Sequence, residues 1–138
     1  KIDYIVRYNP KKIVIHIGGN DINRGAKGSV AANKIIDLFN KIHAVLPYTK
    51  ILYVSNDPSQ NYWHRHEEIN IANEVIKAYV EKLDYVTYLD FTQYLYTEDC
   101  NYVRTSLEAD GLHLNKLGYA LWIKNLKEAL LEMKGADK

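Results

Sequence analysis

One cysteine, three prolines and no concentration of charge of either sign set the first limits on this 138-residue chain. Cys100 has no second cysteine to pair with, so these residues carry no internal disulfide. The 18 Lys and Arg nearly balance the 17 Asp and Glu, and no basic run exceeds two residues. The basic footprint that grips a phosphate backbone is therefore missing, and no nucleic-acid partner is expected. Apolar runs are short, which excludes a membrane span. A leader is lacking too: Lys1 runs into Ile2-Asp3-Tyr4-Ile5-Val6-Arg7-Tyr8, without an initiator Met or a charged-then-apolar segment. That stretch reads as the tail of a helix, so the expectation is a fragment or a processed chain, and its location stays open. What the chain does have is 47% apolar residues, enough to bury the core of one domain spanning 1–138.

Apolar periodicity orders that domain. Lys12 to Ile17 is a β-branched run between Asn-Pro and Gly-Gly-Asn-Asp, which predicts a buried strand. From Ser29 the spacing turns helical, with Ile35, Leu38, Phe39, Ile42, Val45 and Leu46 on one face until Pro47. Ile51 to Val54 predicts a second strand, and about Glu67 to Leu83 a second helix carrying Ile69, Ala72, Ile76, Tyr79, Val80 and Leu83. Tyr85 to Leu89 predicts a third strand. An irregular segment from Thr92 to Asp110 precedes a last helix, from about Lys116 to Met133, with Trp122, Ile123, Leu126, Leu130 and Met133 at helical spacing. Strands alternating with helices imply parallel pairing through crossovers, hence an α/β layered sheet.

Parallel strands gather the loops after their carboxyl ends on one rim, where open α/β sheets bind ligands. The polar clusters fall there: Gly18-Gly19-Asn20-Asp21, Ser55-Asn56-Asp57, and Asp90 with the segment ending at Asp110-Gly111-Leu112-His113. An acid three residues before a His can bind its Nδ1, fix the tautomer and leave Nε2 free as a general base. The same spacing also describes a helix N-cap Asp beside a solvated His. In the first cluster, glycines allow close approach and an Asn amide beyond a strand end can donate to a developing oxyanion. Gly, Asn and Asp equally favour a plain turn.

Taken together, the two motifs resemble those of the SGNH, or GDSL, hydrolases. The likeness rests on a strand ending in Gly18-Gly19-Asn20-Asp21 and, 90 residues beyond Asn20, on Asp110-Gly-Leu-His113-Leu-Asn followed by Leu117-Gly118-Tyr119 and Trp122. Tyr62-Trp63 and Asn70 through Asn73 add to it, so it covers essentially the whole chain. It implies a flavodoxin-like three-layer α/β/α fold and a serine esterase acting on small acyl esters, of carbohydrates or lipids, through an acyl-enzyme. Carried over by position, Asn20 is the oxyanion donor, Gly18 the glycine of the same motif, His113 the base and Asp110 its partner. No Gly-Asp-Ser occurs in the chain. The family pattern puts that nucleophile motif, and a further oxyanion glycine, upstream of Lys1. The expectation is thus an N-terminally incomplete domain, inactive as it stands. The rival expectation is a non-catalytic module that dimerises, or pairs with a separate segment, through the uncovered edge of strand 12–17.

Other residues are weaker candidates. Among the serines, Ser55 alone follows a strand on the favoured rim, but no strand-to-helix elbow is predicted there. Cys100 reads as inert filling rather than the partner of a His. His64-Arg65-His66 looks like a loop entering a helix and has no third ligand near it in sequence, so solvated histidines are expected there and no metal. His16 is expected as a hydrogen-bonded core residue and His43 as partly exposed. Tyr62 and Trp63 either pack or shape an acyl or sugar pocket. No organic cofactor is implied, and a small acyl ester is the expected partner.

Overall fold

The computed structural model describes residues 6–57, 62–92 and 116–133. Three strands, β1 (Lys12–Ile15), β2 (Lys50–Val54) and β3 (Val86–Leu89), form one parallel sheet in that order. Ile13 lies opposite Ile51, and Tyr53 opposite Tyr88. The helices are α1 (Gly19–Asn23), α2 (Gly28–Val45), α3 (His66–Val80) and α4 (Lys116–Leu131), with a 3-10 turn, Trp63–Arg65, leading into α3. Parallel neighbours cannot be joined by a tight hairpin, so α2 carries the chain from β1 to β2 and α3 from β2 to β3.

Alternation along each strand decides which layer each side chain joins. Ile15, Ile51, Tyr53 and Val86 bury into one apolar cluster with Ile35, Phe39 and Ile42 of α2 and Ile69, Ala72 and Ile76 of α3. Val54, with Phe91 just past β3, packs with Leu121, Trp122 and Leu126 of α4. Helices therefore cover both faces, giving the three-layer α/β/α architecture that the family resemblance implied. The two helices of the first layer meet closely where Gly28 opens α2. A Cβ at Gly28 would lie 2.1 Å from the Glu68 carbonyl oxygen of α3. The Gly28 N–H donates to Glu68 Oε1 at 2.7 Å, which satisfies one of the donors that every helix start leaves unpaired.

Several expectations need correction. The first strand ends at Ile15 rather than Ile17, because the Ile17 carbonyl accepts the Tyr53 hydroxyl at 3.2 Å as the chain leaves the sheet. His16 consequently sits beyond the strand with an exposed edge, not in the core. Its ring stands edge-on to Trp122, with centroids 5.0 Å apart. The second long helix stops at Val80 instead of Leu83. Val45 and Ile123, placed by spacing on buried faces, are exposed. The stretch 1–5, most of the irregular segment 92–110, Cys100, Ser59 and Ser106 lie outside the described residues. The outer side of β1 pairs with no strand among the described residues, and Val14 there is 40% exposed.

Candidate active site

The chain leaves β1 through Gly18, whose φ of 112° is the left-handed region that glycine enters without strain. The turn also sits close on its neighbours: a Cβ there would stand 2.9 Å from Ile35 Cδ1 and 3.0 Å from Asn56 Nδ2, so those side chains would have to shift. Immediately afterwards α1 makes a single turn, Gly19–Asn23, with exposed Asn20 near its start and Ile22 fully buried beneath it. The turn is closed by the Arg24 N–H donating to Asn20 O and the Ala26 N–H donating to Asp21 O, both at 3.0 Å. A single helical turn is marginal alone, so what holds it comes from outside.

One support is the loop after β2. Asn56 is buried, and its Nδ2 donates to the Tyr53 hydroxyl at 3.0 Å, which in turn donates to Ile17 O. The main chain of Asn56 is held from α3: its N–H donates to Asn73 Oδ1 at 2.9 Å, and Asn73 Nδ2 donates to Asn56 O at 2.8 Å. The reciprocal pair fixes the loop against the helix, and the chained donors point its side chain under the Gly18-Gly19 turn. The second support is Arg65, whose Nε donates to Ile22 O at 2.9 Å and whose second guanidinium nitrogen donates to Ala26 O at 2.6 Å.

The electrostatics of the rim centre on Asp57. Burial, and behind it the facing carboxylate of Asp90, push its pKa up to about 8. Its Oδ1 has no hydrogen-bond partner. Asp90 instead accepts the N–H and the hydroxyl of Thr92. Burial also raises the Tyr53 and Tyr88 hydroxyls far above the usual phenol value, so both are donors at any physiological pH. His16 moves the other way: packing of its ring lowers its pKa, against the backbone hydrogen bonds at Val54 and Ser55.

The rim thus unites two of the three predicted polar clusters with Asp90, the start of the third. Gly18 and Asn20 sit on it as expected. Asp110 and His113 lie outside the described residues. Ser55 is buried and its Oγ accepts the Phe91 N–H at 2.9 Å, an arrangement that occupies the hydroxyl in joining β2 to the chain after β3. Trp63 stacks on His66 with ring centroids 4.3 Å apart, and His66 Nδ1 lies 2.7 Å from Trp63 O. Tyr62, 38% exposed, and Trp63 precede Arg65 at the turn leading into α3. His43 stacks on Tyr85 at 3.7 Å, before β3 and therefore at the opposite end of the sheet. No group of three His, Cys, Asp or Glu that could hold a metal occurs among the described residues.

Sequence reasoning missed Arg65 and did not weigh Asn56, Asp57 or Asn73 individually. For Asn73 a signal existed: it interrupts the apolar stripe Ile69, Ala72, Ile76 on the buried side of α3. For Arg65 none did, since its partners are the carbonyls of residues some forty positions away.

Solved structures share this fold. A family 3 carbohydrate esterase from Talaromyces cellulolyticus is 18% identical, with a TM-score of 0.79 covering 95% of this chain and 62% of that one. The Clostridium thermocellum family 3 carbohydrate esterase is 17% identical, with a TM-score of 0.71 over 95% of this chain and 61% of its own. The CTD of the Drosophila Oskar protein is 18% identical, with a TM-score of 0.71 over 87% of this chain and 61% of its own. At such identities the likeness is one of fold, and the chain spans less than two thirds of each of these structures. No curated protein matches it. The GDSL-like lipase/acylhydrolase family model matches residues 2–121, most of the sequence, so the chain belongs to this family.

Proposed function

We propose that this chain supplies the oxyanion donor and the general base of a serine esterase acting on small acyl esters. The observation that carries the reading is the Gly18-Gly19-Asn20 turn, held from beneath by Asn56 and from its far end by Arg65, with Asn20 exposed at the carboxyl end of β1. A donor amide kept in place before the reaction is what stabilises an oxyanion, because no reorganisation is needed as charge develops; such a donor is worth ~3–4 kcal/mol.

In the proposed cycle a serine hydroxyl attacks the ester carbonyl while His113 Nε2 takes its proton and Asp110 steadies the imidazolium. Asn20 Nδ2 donates to the oxyanion of the tetrahedral intermediate. Collapse expels the alcohol, which receives the proton from His113, and leaves an acyl-enzyme. His113 then deprotonates water, whose attack releases the acid. No step calls for a metal or an organic cofactor. The serine, in a Gly-Asp-Ser segment outside the present sequence, would lie on a strand pairing with the edge of β1 that no strand among the described residues occupies; removing a nucleophile from such a unit costs ~10⁶ in turnover, so this chain alone is expected to be inactive. Tyr62 and Trp63, at the turn leading into α3, form one wall for the acyl or sugar part of the ester, in keeping with the carbohydrate esterases among the structural neighbours.

The test is hydrolysis of a short-chain nitrophenyl ester by this chain and by the same chain extended upstream. Activity only in the extended protein, abolished by His113→Ala, is expected. Robust hydrolysis by the short chain that survives His113→Ala refutes the assignment. A second reading, a non-catalytic module assembling through β1, draws on that strand's unpaired edge and on Val14 and Ile17, 40% and 49% exposed. A stable monodisperse monomer in light scattering counts against it.

A further inference from the structure

We propose that Arg65 is a positioning residue for Asn20, a role that rests on the oxyanion reading of that asparagine. Three observations converge. First, α1 is one turn long, with only Ile22 buried beneath it, so its own hydrogen bonds do not suffice to hold it. Second, Arg65 bridges the carbonyls of Ile22 and Ala26, at 2.9 and 2.6 Å, from the 3-10 turn that opens α3. A guanidinium is suited to this, since its planar fork presents several donors in fixed directions, whereas an ammonium offers a point charge on a flexible stem. Third, the other end of the turn is already held: Gly18 rests on Ile35 and on Asn56, which Asn73 locks to α3. Asn20 lies between these two supports. Both run to α3, so the element carrying Asn20 is braced twice against one rigid helix and not against the sheet alone.

Arg65 touches no reacting atom in this scheme. It acts by holding Asn20 where the oxyanion forms, and a displacement of about an ångström there costs as much as a hundredfold in rate. The interaction is also electrically one-sided: the cation meets two neutral carbonyls, of which Ile22 O also accepts the Gly25 N–H at 3.0 Å, so its worth lies in tying the end of α1 and the residues after it to one rigid fork.

The experiment is a double-mutant cycle on the upstream-extended protein with a nitrophenyl ester, alongside amide hydrogen exchange on the same variants. Arg65→Met, which keeps the apolar stem, should lower kcat ten- to a hundredfold with KM within about twofold, and Arg65→Lys should fall between it and the parent. In an Asn20→Ala background, Arg65→Met should change kcat by less than about twofold, because the positioned group is gone. Exchange at the Arg24, Gly25 and Ala26 amides, which close the turn, should speed up at least about tenfold in Arg65→Met. Additive losses of kcat, or unchanged exchange, overturn the proposal. If Arg65→Met does not fold, Arg65→Lys carries the same cycle and the same criteria. Full activity in Asn20→Ala sinks the oxyanion reading itself and with it the positioning role, while the exchange data then report only whether Arg65 holds the turn.

Discussion

Replacing Asp57 by Asn removes an ionisation that folding suppresses, and its effect on stability should depend on pH in a defined way. In the unfolded chain the carboxyl titrates at the ordinary value of about 4. In the fold, burial and the facing Asp90 carboxylate push it up to about 8. Between these values the folded state holds a proton that the unfolded state has lost. Stability therefore falls as pH rises, by up to ~1.4 kcal/mol per pH unit. The penalty is absent below about pH 4, grows to ~4 kcal/mol at pH 7 and levels off at ~5 kcal/mol above pH 8. Asn keeps the shape and the hydrogen-bonding capacity but cannot ionise. Urea unfolding of the parent and of Asp57→Asn at pH 5, 6, 7 and 8 reads the difference, since carboxylates that do not face Asp57 cancel in it. The variant should be the more stable at pH 7 by a few kcal/mol, with the gap widening from pH 5 to 8 and then holding constant. Parallel curves, with a difference independent of pH, refute the reasoning.

Two further outcomes follow from packing. Gly28→Ala sets a Cβ 2.1 Å from the Glu68 carbonyl oxygen, which is main chain and cannot swing away, so α2 and α3 must separate. Thermal unfolding should register a loss of at least ~2 kcal/mol, in the range of an overpacked core. Asn73→Ala strands the buried N–H and C=O of Asn56 and should cost ~2–4 kcal/mol by denaturant titration. Amide exchange in that variant should rise at Asn56 and at the Gly18-Gly19 turn beside it, while the far end of α2 stays protected.

Where the elements lie was largely legible because periodicity reports burial. The β-branched run at Lys12 and the helical spacing from Ile35 to Leu46 could each bury an apolar face in only one conformation, and the sheet and helices formed there. Where elements end was less legible. The end of β1 depends on the Tyr53 hydroxyl reaching Ile17, and Val45 and Ile123 share a helical spacing with buried residues yet lie outside the width that their neighbours cover. The turn at Gly19–Asn23 reads locally as a loop, since Gly, Asn and Asp favour turns, and becomes helical through the buried Ile22 and the Arg65 bridge.

By itself, the order of residues determined the alternation of strands and helices, the parallel sense that this alternation demands, and the collection of Gly18-Gly19-Asn20, Ser55-Asn56-Asp57 and Asp90 on one rim, because each follows from local spacing and chain connectivity. The tertiary structure alone decided that Asn56 lies beneath the glycine turn, that Asn73 and Arg65 brace it from α3, and that Asp57 holds its proton near neutrality. Those outcomes depend on desolvation and on contacts between residues far apart in the chain, and no local pattern encodes which distant groups the packing of α3 against α2 will bring together.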